Sequence, residues 1–162
     1  DPYPGFIMGF NPSSPTSEGS IDIQSSDSLV PPRIPTNYLT TQEDLDGIIA
    51  MARLIGRIQE TQAIKNVLAR TPDLNLSNMG EDEILNDFRE RATTVYHPCG
   101  TCRMGPDIQS AVVNSDLQVF GIEGLRVVDA SIFPNITSAN TNAPTIMVAH
   151  EAARRILNSL EA

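Results

Sequence analysis

Apolar residues recur at helical spacing in three stretches of this 162-residue chain. The first stretch follows Thr41, with Glu43 and Asp44 close behind it, an arrangement that favours a capped helix start. Its apolar positions are three or four residues apart: Leu45, Ile48, Ile49, Ala52, Ile55 and Ile58. The spacing predicts a helix that turns this face towards a core.

Two further helices follow from the same pattern. One is predicted over residues 81–93, where apolar residues lie on one side and acids on the other. A polar loop over residues 71–80 separates it from the first helix. The last helix is predicted over residues 145–159, because its apolar stripe follows Pro144, and proline suits a helix's first turn.

Strand patterns are shorter than the helical ones. Residues 20–24 alternate between apolar and polar types and predict a strand, which the prolines after it end. Residues 111–113 and 117–120 are short apolar runs on either side of a turn-like segment, and residues 125–128 predict a further, buried strand. Strands among helices place the chain in a mixed class, α/β or α+β.

Composition narrows the classes of function. The hydrophobic fraction is 40%, which is typical of a globular domain, and the net charge is −9. A chain this acidic and without a basic patch is not expected to bind nucleic acid or an anionic membrane. No segment approaches the about 20 apolar residues of a membrane span. The start carries neither an initiator Met nor a signal peptide, so we expect a processed chain or a piece of a longer one, and the compartment stays open.

Candidate chemistry concentrates in residues 96–105, which read Tyr-His-Pro-Cys-Gly-Thr-Cys-Arg-Met-Gly. A neutral His97 is able to accept a proton near neutral pH, as a catalytic base does. The alternative is a structural histidine bonded to a backbone carbonyl. The setting of His97 in His-Pro-x-Gly-Thr-x-x-Met-Gly favours catalysis.

Two later segments complete a recognisable order. Residues 125–131 read Leu-Arg-Val-Val-Asp-Ala-Ser, and residues 140–147 read Asn-Thr-Asn-Ala-Pro-Thr-Ile-Met. With residues 96–105, they resemble the C-terminal part of the glucose-methanol-choline (GMC) oxidoreductases, flavin-dependent alcohol oxidases and dehydrogenases. The resemblance implies that residues 1–93 are part of the antiparallel-sheet substrate-binding domain, and residues 94–162 the C-terminal part of the Rossmann-like FAD-binding domain.

The resemblance also implies a mechanism. His97 faces the flavin and takes the hydroxyl proton of a primary or secondary alcohol, while the carbinol carbon transfers hydride to N5 of FAD. Asn142 hydrogen-bonds the alcohol oxygen, which an amide does without titrating. Asn142 also suits a helix N-cap, and Asn140 is an alternative for the catalytic role.

The implied FAD contacts lie in the same three segments. They are Tyr96, His97, Asp129, Ala130, Asn142, Ala143, Pro144 and Thr145. Residues 142–145 are expected beside the N1 and C2 carbonyl edge of the flavin, where a helix N-terminus favours the negative charge of the reduced ring. Asp129 and Ala130 are expected at the ribityl and pyrophosphate region, although an acid at position 129 also suits a turn cap.

Cys99 and Cys102 form a Cys-x-x-Cys pair that leaves two alternatives open. With His97 they are able in principle to bind zinc, as part of an interaction module, or to act as a redox pair. Small buried side chains near the flavin are the preferred interpretation, and no metal site is expected.

The absence of one family motif from this sequence indicates which partner to expect. The family binds the ADP half of FAD with an N-terminal Gly-x-Gly-x-x-Gly, and this sequence has none. We therefore expect an N-terminal chain of the same enzyme that carries the motif, with a break in an exposed loop before Asp1. A small alcohol substrate and an oxygen or quinone-type electron acceptor complete the set. A hydroxynitrile lyase of the same fold is the alternative function.

Overall fold

Helices dominate the regular structure. The computed structural model describes residues 5–69, 72 and 74–160. Within these residues the helices are α1 (Gln42–Gln59), α2 (Gln62–Lys65), α3 (Glu81–Arg91) and α4 (Asn142–Leu160), with a 3₁₀ helix at Ala130–Ile132. The predicted helices are thus present as α1, α3 and α4. The residues next to the predicted break before Asp1, and Thr71 and Asp73 of the predicted loop, lie outside the described residues.

The predicted strands are wrong. In the described part of the chain, β pairing is limited to isolated bridges: Asp22 with Arg33, Val113 with Val119 and Gln118 with Arg126 (antiparallel), and Met104 with Val113 (parallel). Residues 20–24 and 125–128 each contribute a single bridge residue, because a strand needs a neighbour that matches it over several residues. The second of these segments is also less buried than predicted, since Leu125 is 47% exposed.

The described residues group into two compact units. The first takes the residues up to Pro12 and from Leu39 to Thr93, and the second takes those from Ser13 to Tyr38 and from Thr94 onward. One unit boundary therefore coincides with the predicted domain boundary after residue 93, whereas residues 13–38 group with the later part of the chain. The assignment of residues 1–93 and 94–162 to substrate and flavin domains stays a prediction.

The first unit is built on α1 and α3. Thr41 caps α1, and its side chain accepts a hydrogen bond from the backbone N–H of Asp44 at 3.4 Å. Both helices and the loop before α3 contribute to one core, whose buried residues are Ile48, Ala52, Leu76, Ile84 and Leu85. Phe10 stacks on Phe88 at the edge of this core, with ring centroids 5.8 Å apart.

The second unit packs irregular segments against α4. Its buried residues are Val113, Leu117, Ile132, Phe133 and Ala152, of which only Ala152 lies on α4. The helix begins at Asn142, three residues before the predicted start at residue 145. Of the helices that the structure describes, none combines the length and the apolar composition that crossing a bilayer requires.

Candidate active site

A hydrogen bond joins the two segments that carry the predicted catalytic residues. His97 Nδ1 lies 3.0 Å from Thr141 Oγ1, across 44 residues of sequence. Thr141 is buried and His97 is half-buried. Because Asn142 directly follows Thr141, this contact places the imidazole at the first turn of α4.

The backbone turns sharply just before the imidazole. Tyr96 has a φ of 63°, in the left-handed region that a bulky residue rarely adopts, and its N–H donates to Thr94 Oγ1 at 3.0 Å. Such a conformation costs on the order of 1 kcal/mol and persists where the surrounding fold imposes it. Tyr96 is 79% exposed, so it is accessible to a ligand.

Backbone hydrogen bonds tie the segment after His97 to the segment that contains Asp129 and Ala130. The N–H of Cys102 donates to the carbonyl of Ser131 at 3.0 Å, and that of Met104 to the carbonyl of Ile132 at 2.8 Å. The structure therefore brings all three recognised segments together within the second unit.

Asp129 has a structural role at this junction. Its Oδ1 accepts a hydrogen bond from the N–H of Ser131 at 2.8 Å and so caps the 3₁₀ helix Ala130–Ile132. The turn-cap alternative is thus observed. Asp129 is exposed, and a carboxylate has acceptor sites for more than one hydrogen bond, so a ligand hydroxyl is able to bind it as well.

The first turn of α4 leaves few backbone donors available. Asn142 is the first helical residue, so the expectation that it caps the helix is wrong, and the cap position falls on Thr141. The Thr141 carbonyl accepts from both the N–H and the hydroxyl of Thr145, at 3.0 and 2.7 Å. Pro144 has no N–H, so the N–H groups of Asn142 and Ala143 are those without an intrahelical acceptor.

The surface at this helix start fits a flavin. Asn142 and Ala143 are exposed, and the first turn holds no acidic residue that would offset the positive end of the helix dipole. Ile146 and Met147, one turn further, are 62% and 60% exposed. Uncharged apolar surface next to two N–H donors is the combination that a flat ring with an anionic edge requires.

Cys99 behaves as a packing residue. Cys99 and Cys102 are both free and half-buried, and Cys99 packs against the core of the second unit. Burial raises the pKa of the Cys99 thiol, against a smaller opposing effect of Arg103. Within residues 5–69, 72 and 74–160, no three His, Cys, Asp or Glu side chains gather where a metal ion would bind, so the zinc alternative lacks a ligand set there.

A cleft of about 380 Å³ lies along α4. Leu117, Arg126 and Arg155 are among the residues that line it, and neither His97 nor Asn142 is. The cleft therefore does not include the two predicted catalytic residues, although Met104 and Met147 of their segments line it.

Sequence reasoning missed Thr141. Its residue type and its place just before the last helix are typical of an N-cap, which is a local signal. Nothing local, however, indicates its contact with a histidine 44 positions earlier.

Comparison with known proteins settles the family. The sequence profile of the GMC oxidoreductase family matches residues 15–149. This chain belongs to the GMC oxidoreductase family. It is 42% identical over 147 residues to an alcohol dehydrogenase [acceptor] from Pseudomonas putida, covering 91% of this chain and 26% of that protein. It is 36% identical over 154 residues to an oxygen-dependent choline dehydrogenase from Brucella anthropi, covering 94% of this chain and 28% of the relative.

The fold agrees with that of solved family members. The structure of a FAD-dependent oxidoreductase from Chaetomium thermophilum superposes with a TM-score of 0.81 at 25% identity, over 88% of this chain and 25% of that one. The chain thus spans about a quarter of the length of the relatives it matches.

Proposed function

We propose that this chain is the C-terminal part of a flavin-dependent alcohol oxidase or dehydrogenase, in which His97 is the catalytic base. The observation that carries the proposal is the 3.0 Å contact between His97 Nδ1 and Thr141 Oγ1. Through this contact His97, the only imidazole of residues 96–105, lies next to the helix start that holds Asn142. Membership of the GMC family and the named activities of the alcohol and choline dehydrogenases support the same chemistry.

FAD, when bound, supplies a two-electron hydride acceptor at its N5. Asn142 and Ala143 would hold the ring edge through their backbone N–H groups, with Tyr96, Pro144 and Thr145 lining the same surface. Asp129 and Ala130 would contact the ribityl and pyrophosphate region, in the crevice at the end of the segment they terminate.

The side chains divide the work of alcohol oxidation. His97 takes the hydroxyl proton, and the Asn142 amide donates a hydrogen bond to the oxygen as negative charge develops there. The carbinol carbon loses a hydride, so that the alcohol becomes an aldehyde or a ketone and two electrons leave the substrate. His97 returns its proton to solvent, and oxygen or a quinone-type acceptor removes the electrons.

The proposal includes the rest of the enzyme. An N-terminal polypeptide carrying Gly-x-Gly-x-x-Gly would hold the ADP half of FAD, and residues 94–162 would close that Rossmann-like domain. Residues 1–93 would join the antiparallel sheet of the substrate-binding domain. The exposed Ile146 and Met147 are adjacent at the helix start, where the bound flavin and the N-terminal polypeptide would cover them.

The test compares the two histidines of this chain in the flavin-loaded enzyme. His97→Ala should lower the rate of alcohol-dependent flavin bleaching by about 10²–10⁴-fold, the usual contribution of a general base. His150→Ala is the matched control, since His150 is exposed on α4, and it should react like wild type. Both variants should keep the flavin absorbance.

An unchanged bleaching rate in His97→Ala would contradict the assignment of the base. An enzyme that cleaves mandelonitrile and is not bleached by any alcohol would be a lyase of the same fold instead.

A further inference from the structure

We infer that Thr141 is a positioning residue, which holds His97 in the tautomer that leaves Nε2 as the proton acceptor. This role rests on the proposed function, because it matters only if His97 is the base. Thr141 is not among the residues for which a catalytic or flavin contact is expected.

The contact engages one ring nitrogen and leaves the other available. A neutral imidazole carries one N–H, and a hydroxyl is able either to donate to or to accept from Nδ1. Only when Nδ1–H donates to Thr141 Oγ1 does Nε2 keep the lone pair that a base needs. That bond also survives proton transfer, since the doubly protonated ring still donates from Nδ1.

Thr141 is itself fixed in place. It is 6% exposed, and its carbonyl accepts the N–H and the hydroxyl of Thr145 at 3.0 and 2.7 Å. Its β-branched side chain has few rotamers open to it. The hydroxyl is thus anchored to α4, the element that also presents Asn142, so the base and the donor to the substrate oxygen share one support.

If Thr141 only stabilised α4, its loss would have a different effect from the loss of a tautomer-fixing bond. Thr141 occupies the cap position of α4, and loss of a cap weakens a helix without changing which nitrogen of His97 carries the proton. The tautomer of His97 and the stability of the enzyme can therefore be measured separately to distinguish the two roles. Thr141→Val keeps the shape and removes the hydroxyl, whereas Thr141→Ser keeps the hydroxyl and is the matched control.

The experiment uses ¹⁵N-histidine NMR on the flavin-loaded enzyme without substrate, with His97→Gln to assign the signal. Wild type and Thr141→Ser should show a protonated, pyrrole-type Nδ1 and an unprotonated, pyridine-type Nε2 at neutral pH. Thr141→Val should show a mixture of tautomers. Its flavin reduction by alcohol should slow roughly tenfold, the value of one hydrogen bond to the base, and Thr141→Ser should restore the rate.

The outcomes separate the inference from the proposed function. A wild-type His97 with its proton on Nε2 overturns the inference, and this measurement needs no substitution, so a Thr141→Val protein that fails to fold does not prevent it. An unchanged tautomer and rate in Thr141→Val, together with inactive His97→Ala, overturns the inference and leaves the proposed function standing. Fully active His97→Ala removes the proposed function itself.

Discussion

Replacing Gly56 by alanine tests how closely α1 approaches the loop before α3. A Cβ at this position would lie 2.7 Å from the backbone nitrogen of Ser77 and 2.7 Å from its Oγ. Gly47 lies in the same helix, and a Cβ there meets nothing within 4 Å. The two glycines therefore form a matched pair that differs in the space around the added methyl group.

The two substitutions should change the stability of α1 in opposite directions. In a helix interior, alanine is more stable than glycine by about 1 kcal/mol, so Gly47→Ala should stabilise α1 by that amount. At Gly56 the same gain is offset by overpacking, which costs about 1–3 kcal/mol, and the upper end applies because the obstructing atom is backbone. Displacement of the loop would also strain the 2.7 Å bond from Arg53 Nη1 to the Leu76 carbonyl. Gly56→Ala should thus destabilise α1 by about 1–2 kcal/mol, and the two variants should differ by about 2–3 kcal/mol.

Hydrogen exchange of the peptides that cover α1 measures this difference locally, whatever the stability of the remaining enzyme. Exchange should slow in Gly47→Ala and accelerate in Gly56→Ala. Equal protection in the two variants would refute the close approach of α1 to Ser77.

Three further outcomes are expected. Gly105→Ala would place a Cβ 2.7 Å from that of Ala111, so thermal unfolding should show a loss of about 1–3 kcal/mol, and adding Ala111→Gly should restore much of it; no rescue would contradict the contact. Hydrogen bonds from Arg154, and next from Arg155, lower the pKa of Glu151 from 4.5 to about 2. The stabilisation of the fold by the ionised Glu151 is therefore fully present above pH 4.5 and is lost as the pH falls to about 2. The melting temperatures of wild type and Glu151→Gln should therefore converge over that window, and a difference that grows towards low pH would be inconsistent with it. Since burial raises the pKa of Cys99, iodoacetamide at pH 8 should label it more slowly in the native than in the unfolded protein, as mass spectrometry would show; equal rates would speak against its burial.

Helices were predictable here because their signals are local. Thr41 and the acids after it mark the start of α1, and the spacing of its apolar residues marks the buried face. The apolar stripe after Pro144 predicts the start of α4 three residues too late. Proline is tolerated anywhere in the first turn, where N–H groups lack intrahelical acceptors, and here it is the third residue of the helix.

The strand predictions were wrong because strand formation depends on contacts with distant residues. An alternating or apolar run becomes a strand only when another segment pairs with it over its length. Within the described residues, Asp22–Arg33 and Gln118–Arg126 are isolated bridges, and the few backbone hydrogen bonds beside them do not build a strand. Residue type alone carries no information about whether such a neighbour is present.

The site shows the same division between local and long-range information. The three segments are recognisable from their residues, but the bonds that assemble them are contacts between distant positions. One of these bonds links the site to the core. The carbonyl of Ile132, a residue with 0% exposure, accepts the N–H of Met104 in the segment that continues from His97. Packing around Ile132 and the path of residues 97–104 are therefore coupled, because interiors are close-packed and a core side chain that shifts moves the backbone attached to it. The path of residues 97–104 therefore depends on this core at one end and on the contact of His97 with Thr141 at the other.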